Sequence, residues 1–479
     1  MSALGARTAA EICRAAGFDT RLFIFPTEGK KRPLPLPPEA GHLRPFIVDG
    51  EHGPLSFFSR FGRFGPEYRA CADAVAEAEP DIVLVSSFAY AYAEDAVLLG
   101  RAVRERMPGA VVAAGGAGPS AWPEYYARQR TADRPVFDFV LTGEAETNLP
   151  LLRERLPLAG GAETEILSGG RTTGRDLDCV FSVTHETAAD AWVSVSLSRG
   201  CPLGCRFCSN ALCHGREFRT VPREKIELKA REIPAGKRLH LNFEDDNLLL
   251  DLSWFREVLR FFSRRFPGAA FSAENGLDYR LLDPALLEEL LDAGFERFNF
   301  SLGSIGEKTS SREGRRVDIP LYRELARVLE ARDVPLVTYF IAGLDGDTPE
   351  SAVAHLLFLS RVPTLAGISL FYPVPGLPGF DPPPAALDAH PGLARGSLAF
   401  PWTGSLSTAE MVTAFRLARL VNLTKDPLPD AAGKALAERT LASRRLHTLT
   451  GKGAGAASVP VPADREMERL FFEGFRPSS

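Results

Sequence analysis

The run Ser198-Arg199-Gly200-Cys201-Pro202-Leu203-Gly204-Cys205-Arg206-Phe207-Cys208 sets three cysteines on one short loop with the spacing C-x3-C-x2-C. Three thiolates so placed can hold three irons of a cubane [4Fe-4S] cluster and leave the fourth iron without a protein ligand. That open iron is a position at which chemistry can occur. A zinc knuckle is the rival reading, since Cys213 and His214 stand close enough in the chain to offer a fourth ligand. Three unrelated core cysteines are the remaining alternative. Gly200 and Gly204 would let the loop wrap a cluster, and backbone N–H groups near its sulfurs would tune the potential.

Outward from this loop the chain reads as an α/β protein. The loop follows an apolar run, Trp192 to Leu197, and further strands are expected at Arg238 to Phe243, Ala270 to Ala273, Arg297 to Leu302, Leu336 to Ala342 and Gly367 to Tyr372. Helical patterns separate them near Arg223 to Glu232, Leu252 to Phe266, Pro284 to Ala293, Pro320 to Ala331 and Pro349 to Ser360. Asp283 and Thr348 precede two of these and have the chemistry of N-caps. Six βα units suit an open, partial TIM-like (β/α)6 barrel, which puts the cysteine loop at the carboxyl mouth where barrel active sites form.

Upstream, helices at Glu67 to Glu79 and Ala93 to Arg106 alternate with the short apolar runs Ile82 to Val85, Val111 to Gly116 and Phe137 to Leu141. This pattern predicts a buried parallel sheet in a doubly wound, Rossmann-like N-terminal domain over 1–153. Ala3 to Gly17 reads as a helix, Thr20 to Phe25 as a strand, and Pro26 to Gly65 as a long surface excursion. Residues 154–190 are expected to be a connector without periodicity, 191–380 the barrel, and 381–479 a mainly helical region. The last of these includes Ser407 to Leu423, a Gly/Ala/Ser-rich stretch from Leu449 to Pro460, and a short docking helix from Glu466 to Phe475.

The cysteine spacing, the aromatic Phe207 before the third cysteine, and the position of the loop after the first of six βα units resemble the radical S-adenosylmethionine (SAM) superfamily. The resemblance implies that Cys201, Cys205 and Cys208 ligate a [4Fe-4S] cluster, that SAM chelates the open iron, and that its reductive cleavage yields a 5′-deoxyadenosyl radical. It further implies that Phe207 lies by the adenine, that Glu244, Asp245 and Asp246 after the second strand grip the methionine amine, and that Glu274, Asn275, Ser301 and Ser304 meet the ribose and carboxylate. Gly343, in Ile341 to Thr348, would lie along the adenine, and Phe371 to Gly376 matches the ending of the sixth strand. Gly303 stands where a carboxylate is often found, a departure from the family pattern. Bland readings stand beside these: packing for Phe207, a solvated loop for the acids, and a turn glycine at Gly343.

The N-terminal region is similar to the cobalamin-binding domain carried by a subgroup of the superfamily. On that likeness Ser86, Ser87, Gly115, Gly116, Gly143 and Glu144 lie where the domain presents loops to the corrin ring. No Asp-x-His-x-x-Gly is present, so cobalamin would be held without a histidine under the cobalt. The implied function is cobalamin-dependent methylation of an unactivated carbon in a small biosynthetic intermediate. A non-methylating rearrangement or cyclisation, and a cluster- or cobalamin-binding sensor or electron carrier, are the alternatives. An electron donor such as flavodoxin or ferredoxin is the implied partner.

Composition agrees with a globular protein: 479 residues, 45% hydrophobic and 24% charged. The net charge of −5 argues against general nucleic-acid affinity. No membrane span or signal peptide is read, so the cytoplasm is expected. Seven cysteines, three in one loop, fit a reducing compartment and a metal site better than a disulfide framework.

Overall fold

The computed structural model describes residues 3–25, 32–47 and 61–424. The expected segments at Leu449 to Pro460 and Glu466 to Phe475 lie outside the described residues, as does part of the Pro26 to Gly65 excursion. The chain divides into two compact units, the first comprising Met1–Pro33, Gly62–Ala270 and Pro373–Ala394, the second Leu34–Phe61, Phe271–Tyr372 and Arg395–Ser479.

The first unit contains a parallel sheet of β1 (Ile82–Ser86), β2 (Val111–Gly115), β3 (Phe139–Thr142) and β4 (Glu165–Ser168), hydrogen-bonded in that order. The order runs with the chain and never reverses among the described strands. The doubly wound expectation is corrected accordingly, because such a sheet reverses at a switch point and opens a crevice there. The sheet packs Ala113, Phe139, Leu141 and Leu167 against Cys13, Leu149 and Leu152 of two helices, Leu4–Ala15 and Ala145–Arg155. At its heart Arg104 and Asp138 form a fully buried ion pair, and Asp138 also accepts from the Val112 N–H at 2.8 Å.

Two local expectations fail. Thr20 to Phe25 has strand-forming residues but joins no ladder, since strand propensity expresses fit to a neighbouring strand and none is offered here. The 154–190 stretch is more than a connector: β4 completes the first sheet, and β5 (Ser182–Glu186) runs antiparallel to β6 (Asp190–Val195).

After β6 the chain makes a two-residue strand, β7 (Ser198–Arg199), which pairs antiparallel with β8 (Arg219–Thr220) and closes the base of the cysteine loop. Next comes β9 (Arg238–Phe243), parallel to β6 over its whole length. Leu239, Leu241 and Phe243 alternate inward on β9, and Phe243 meets Phe255 of the helix Leu252–Arg265 edge to face.

The second unit carries three parallel strands, β10 (Phe298–Gly303), β11 (Leu336–Ala342) and β12 (Leu365–Leu370). Phe298 and Phe300 of β10 join Tyr279, Tyr322 and Phe358 in an aromatic core. The Tyr322 hydroxyl is bonded to Thr338 at 2.6 Å, and Thr338 to Thr364 at 2.7 Å, so the buried polar groups are satisfied in a chain. Both expected N-caps form: Asp283 accepts from Leu286 N–H at 2.7 Å, and Thr348 makes a capping box with Ser351. Among the described residues no helix is long and apolar enough to cross a membrane.

Candidate active site and cofactor cradle

The loop carrying the cysteines is built to stay in one shape. At its entry Gly200 has φ +86°, and a Cβ there would collide with the Glu217 carbonyl oxygen on the returning arm. The Cys201 N–H donates to Gly215 O at 3.2 Å and the Cys208 N–H to Cys205 O at 3.2 Å. None of the three cysteines is fully buried. Among the described residues no three His, Cys, Asp or Glu side chains are grouped to hold a single ion. Burial pushes the Cys213 thiol up to about 12, leaving it a neutral bystander.

The acids after β9 are turned to the loop. Asp245 Oδ1 accepts from the Leu197 N–H at 3.0 Å and the Ser198 hydroxyl at 2.6 Å. Asp246 Oδ2 accepts from the Gly200 N–H at 2.8 Å and lies 2.9 Å from His214 Nδ1. Burial acts to raise Asp246, but His214 and the Gly200 N–H outweigh it and hold the carboxyl below its usual range. Among the described residues no cation pairs with Asp245, and burial lifts its pKa to about 7. Asn247, which the sequence did not single out for a role at the sulfurs, donates from Nδ2 to Cys201 Sγ at 3.7 Å.

Among the described residues two buried oxygens beside the loop have no partner, Asp245 Oδ2 and Asn247 Oδ1. Unsatisfied buried acceptors cost about 1–3 kcal/mol each, so a polar ligand carrying N–H or O–H groups is the natural relief. Together with three thiols on a braced loop, this donor set fits a cluster and a polar ligand at its side. Glu244 is half-buried and Phe207 is half-buried.

Glu144 is found in a role other than the one read from sequence. Its carboxylate is taken by Arg219 at 2.8 and 2.9 Å and by the Thr172 N–H at 2.7 Å, and Arg219 also donates to Thr172 O and His214 O. Burial would raise Glu144, and Arg219, Thr172 and Arg199 together bring it below its ordinary value. Two residues on, Glu146 receives both guanidinium arms of Arg199, at 2.8 and 3.0 Å. The carboxyl edge of the first sheet is thereby joined to both arms of the cysteine loop.

Other residues read as corrin contacts are also engaged. Ser87 is buried, with its hydroxyl 2.8 Å from that of Tyr126. Gly116 (φ +108°) and Gly143 (φ +86°) press on the backbone oxygens of Ser87 and Gly170, each 2.6 Å from an added Cβ. Ser86 is exposed and Gly115 is half-buried at the same edge, and Phe88 and Tyr92 present stacked, exposed rings 4.8 Å apart. Those rings form a flat, exposed aromatic surface at this edge.

The second unit holds the remaining candidates. The Glu274 carboxylate is exposed and paired with Arg297 at 3.0 Å. Asn275 is exposed. Ser301 is half-buried, and its carbonyl accepts from Arg315 at 2.8 Å. Ser304 is buried and caps the turn at Gly306. At Gly343 (φ +91°) the space of a Cβ is met by Met411 Sδ at 3.0 Å, while its carbonyl accepts from Thr403. The close approach that this glycine permits is therefore made by the chain's own side chain.

Among curated proteins, the chain is 26% identical over 221 residues to bacteriochlorophyllide d C-12(1)-methyltransferase of Chlorobaculum tepidum, covering 44% of this chain and 46% of that protein. It is 22% identical over 315 residues to hopanoid C-3 methylase of Methylococcus capsulatus, covering 62% and 59%. The chain thus spans about half the length of the curated relatives it matches. In fold it is similar to the radical SAM methyltransferase TsrM of Kitasatospora setae, solved with cobalamin and a [4Fe-4S] cluster. That match has a TM-score of 0.51, 15% identity, and covers 65% of this chain and 68% of that one. The cobalamin-dependent SAM radical enzyme OxsB with aqua-cobalamin matches at TM-score 0.50 and 12% identity, covering 85% and 73%. Residues 195–359, which hold the cysteine loop, the acids after β9 and strands β10 and β11, match the profile of the Radical SAM superfamily, and this span of the chain is a radical SAM domain.

Proposed function

We propose that this protein is a cobalamin-dependent radical SAM enzyme that methylates an unactivated carbon of a small biosynthetic intermediate. The observation that carries the reading is the joining of the braced cysteine loop to the carboxyl edge of the first sheet. Two cofactors that must act on one substrate need such proximity. The curated relatives are named as methylases, and the TsrM structure holds both cobalamin and a cluster, which supports the same reading. We further propose that the strands of residues 191–380 act as one partial barrel.

Cys201, Cys205 and Cys208 would hold the cluster. Bound together, cluster, SAM and cobalamin would supply the electron, the radical source and the methyl carrier. Asn247, donating to Cys201, would shift electron density at that sulfur. Asp245 Oδ2 and Asn247 Oδ1, with Glu244, offer acceptors to the ammonium of SAM. Phe207, Ser301 and Gly343 remain the residues proposed to line the adenosine, with Glu274 the weakest member because Arg297 already occupies it. Ser86, Gly115, Phe88 and Tyr92 would present the apolar edge to cobalamin, which would exclude water from one face of the ring. An external one-electron donor such as flavodoxin or ferredoxin would reduce the cluster.

The test is anaerobic purification from cells supplied with cobalamin, followed by measurement of iron, sulfide and cobalamin and of 5′-deoxyadenosine formed from SAM with dithionite. About four irons and one cobalamin per chain, with 5′-deoxyadenosine produced, are expected. Cys205→Ala should abolish the cluster and SAM cleavage while leaving the circular dichroism unchanged. Retained 5′-deoxyadenosine formation in that variant would refute the ligand assignment, and absence of cobalamin would refute the methyl-transfer reading.

A further inference from the structure

The two bidentate ion pairs beneath the cysteine loop have a geometry that stability alone does not explain. Glu144 and Glu146 lie at the start of one helix, directly after β3; Glu146 holds Arg199 on the outgoing arm of the loop's base, and Glu144 holds Arg219 on the returning arm while also lying 3.8 Å from Arg199. All four side chains are at most 15% exposed. Removing four charges from water is, to a first approximation, balanced by their attraction, and apolar packing would join the same surfaces at no greater cost. What a guanidinium fork on a carboxylate adds is a fixed distance and angle, because two parallel hydrogen bonds constrain both. Arg219 spends its remaining donors on Thr172 O and His214 O, so it has little freedom to reorient. Arg199 immediately precedes Gly200 and Cys201.

We infer that Arg199 and Arg219 are positioning residues: clamped by Glu146 and Glu144, they set the place of the cysteine loop relative to the carboxyl edge of the first sheet, and so the separation of the groups held at the two. The inference rests on the two-cofactor reading above and adds to it the residues that fix the spacing. A lysine keeps the charge and loses the fork, so Arg199→Lys and Arg219→Lys separate geometry from electrostatics.

Two measurements test it. Hydrogen exchange of the loop amides, residues 200–218, is followed in the full-length chain without added cofactor; SAM cleavage to 5′-deoxyadenosine is followed in the reconstituted protein, normalised to iron content. Each lysine variant should keep its circular dichroism and iron content, exchange the loop amides about tenfold faster, and form 5′-deoxyadenosine at least about fivefold more slowly per cluster. Unchanged loop exchange overturns the clamp. Faster exchange with undiminished cleavage per cluster overturns the positioning role, as does a loss of cleavage that only tracks lost iron. If the wild-type protein holds its cluster and forms no 5′-deoxyadenosine, the functional reading fails, and the exchange measurement still decides the clamp.

Discussion

Replacing Asp245 with asparagine should make the protein's stability less sensitive to pH, in a direction opposite to that of an ion-paired acid. Asp245 is 5% exposed, its Oδ1 is bonded to the Leu197 N–H and the Ser198 hydroxyl, and its Oδ2 has no partner. Burial favours the neutral acid and lifts the pKa from 3.8 to about 7. Below pH 3.8 the group is protonated in both folded and unfolded chains and costs nothing. As pH rises toward 7, the unfolded chain ionises while the folded one does not, and stability is lost at about 1.4 kcal/mol per pH unit. The loss is roughly 1–2 kcal/mol by pH 5 and levels off near 4 kcal/mol above pH 7. Asparagine keeps an acceptor for Leu197 and Ser198 and cannot ionise. The stability difference between wild type and D245N should therefore shift by about 3 kcal/mol in favour of the variant between pH 5 and pH 8. For a chain of this length melting as a unit, that corresponds to roughly 3 °C in Tm. Scanning calorimetry of the cofactor-free protein at the two pH values measures it. The constant cost of the new amide N–H cancels in the comparison. A difference in Tm that stays the same at both pH values would refute the argument, since it would mean that Asp245 is already ionised in the folded chain.

Asp138→Asn leaves Arg104 charged and buried without its partner, and should cost about 3–5 kcal/mol, read as a fall in the urea midpoint with an unchanged slope. A loss below about 1 kcal/mol would show that Arg104 finds solvent or another anion. Gly343→Ala forces φ +91° on an alanine and presses its Cβ on Met411, for an expected loss of about 1–3 kcal/mol. Adding Met411→Ala should recover less than half of it if backbone strain dominates, and the double variant's melting temperature decides this. Gly367→Ala would place a Cβ 2.6 Å from the Tyr339 ring, whose hydroxyl is bonded to Asn299 and to Glu274 O. The ring must move, and a loss of about 1–3 kcal/mol is expected, with wild-type stability as the refuting result.

Much of the chain's local organisation was legible without coordinates because it is encoded locally. The helices Ala93–Arg106, Pro284–Ala293 and Pro349–Ser360 and the strands Arg238–Phe243 and Leu336–Ala342 form where the periodicity puts them. Asp283 and Thr348 cap as their side chains allow. Thr20 to Phe25 misled because strand propensity says nothing about whether a partner edge exists. The strand at Glu165–Ser168 escaped notice because it is short, exposed on alternate residues and set in a polar stretch. The glycines at the strand ends read as ligand approaches; the structure adds that Gly116, Gly143 and Gly343 have positive φ and the chain's own atoms close by.

The sequence by itself determined the cysteine spacing, the alternation of strands and helices around it, and the class of cofactor that three thiols on one loop can hold, since each depends only on residues near one another in the chain. Tertiary structure decided what the acids do. Glu144 meets Arg219 across 75 residues, Glu146 meets Arg199 across 53, and Asp245 meets Ser198 across 47. A carboxylate's partner at that separation is chosen by strand register and by which edges pack together, and neither is written in the residues beside it.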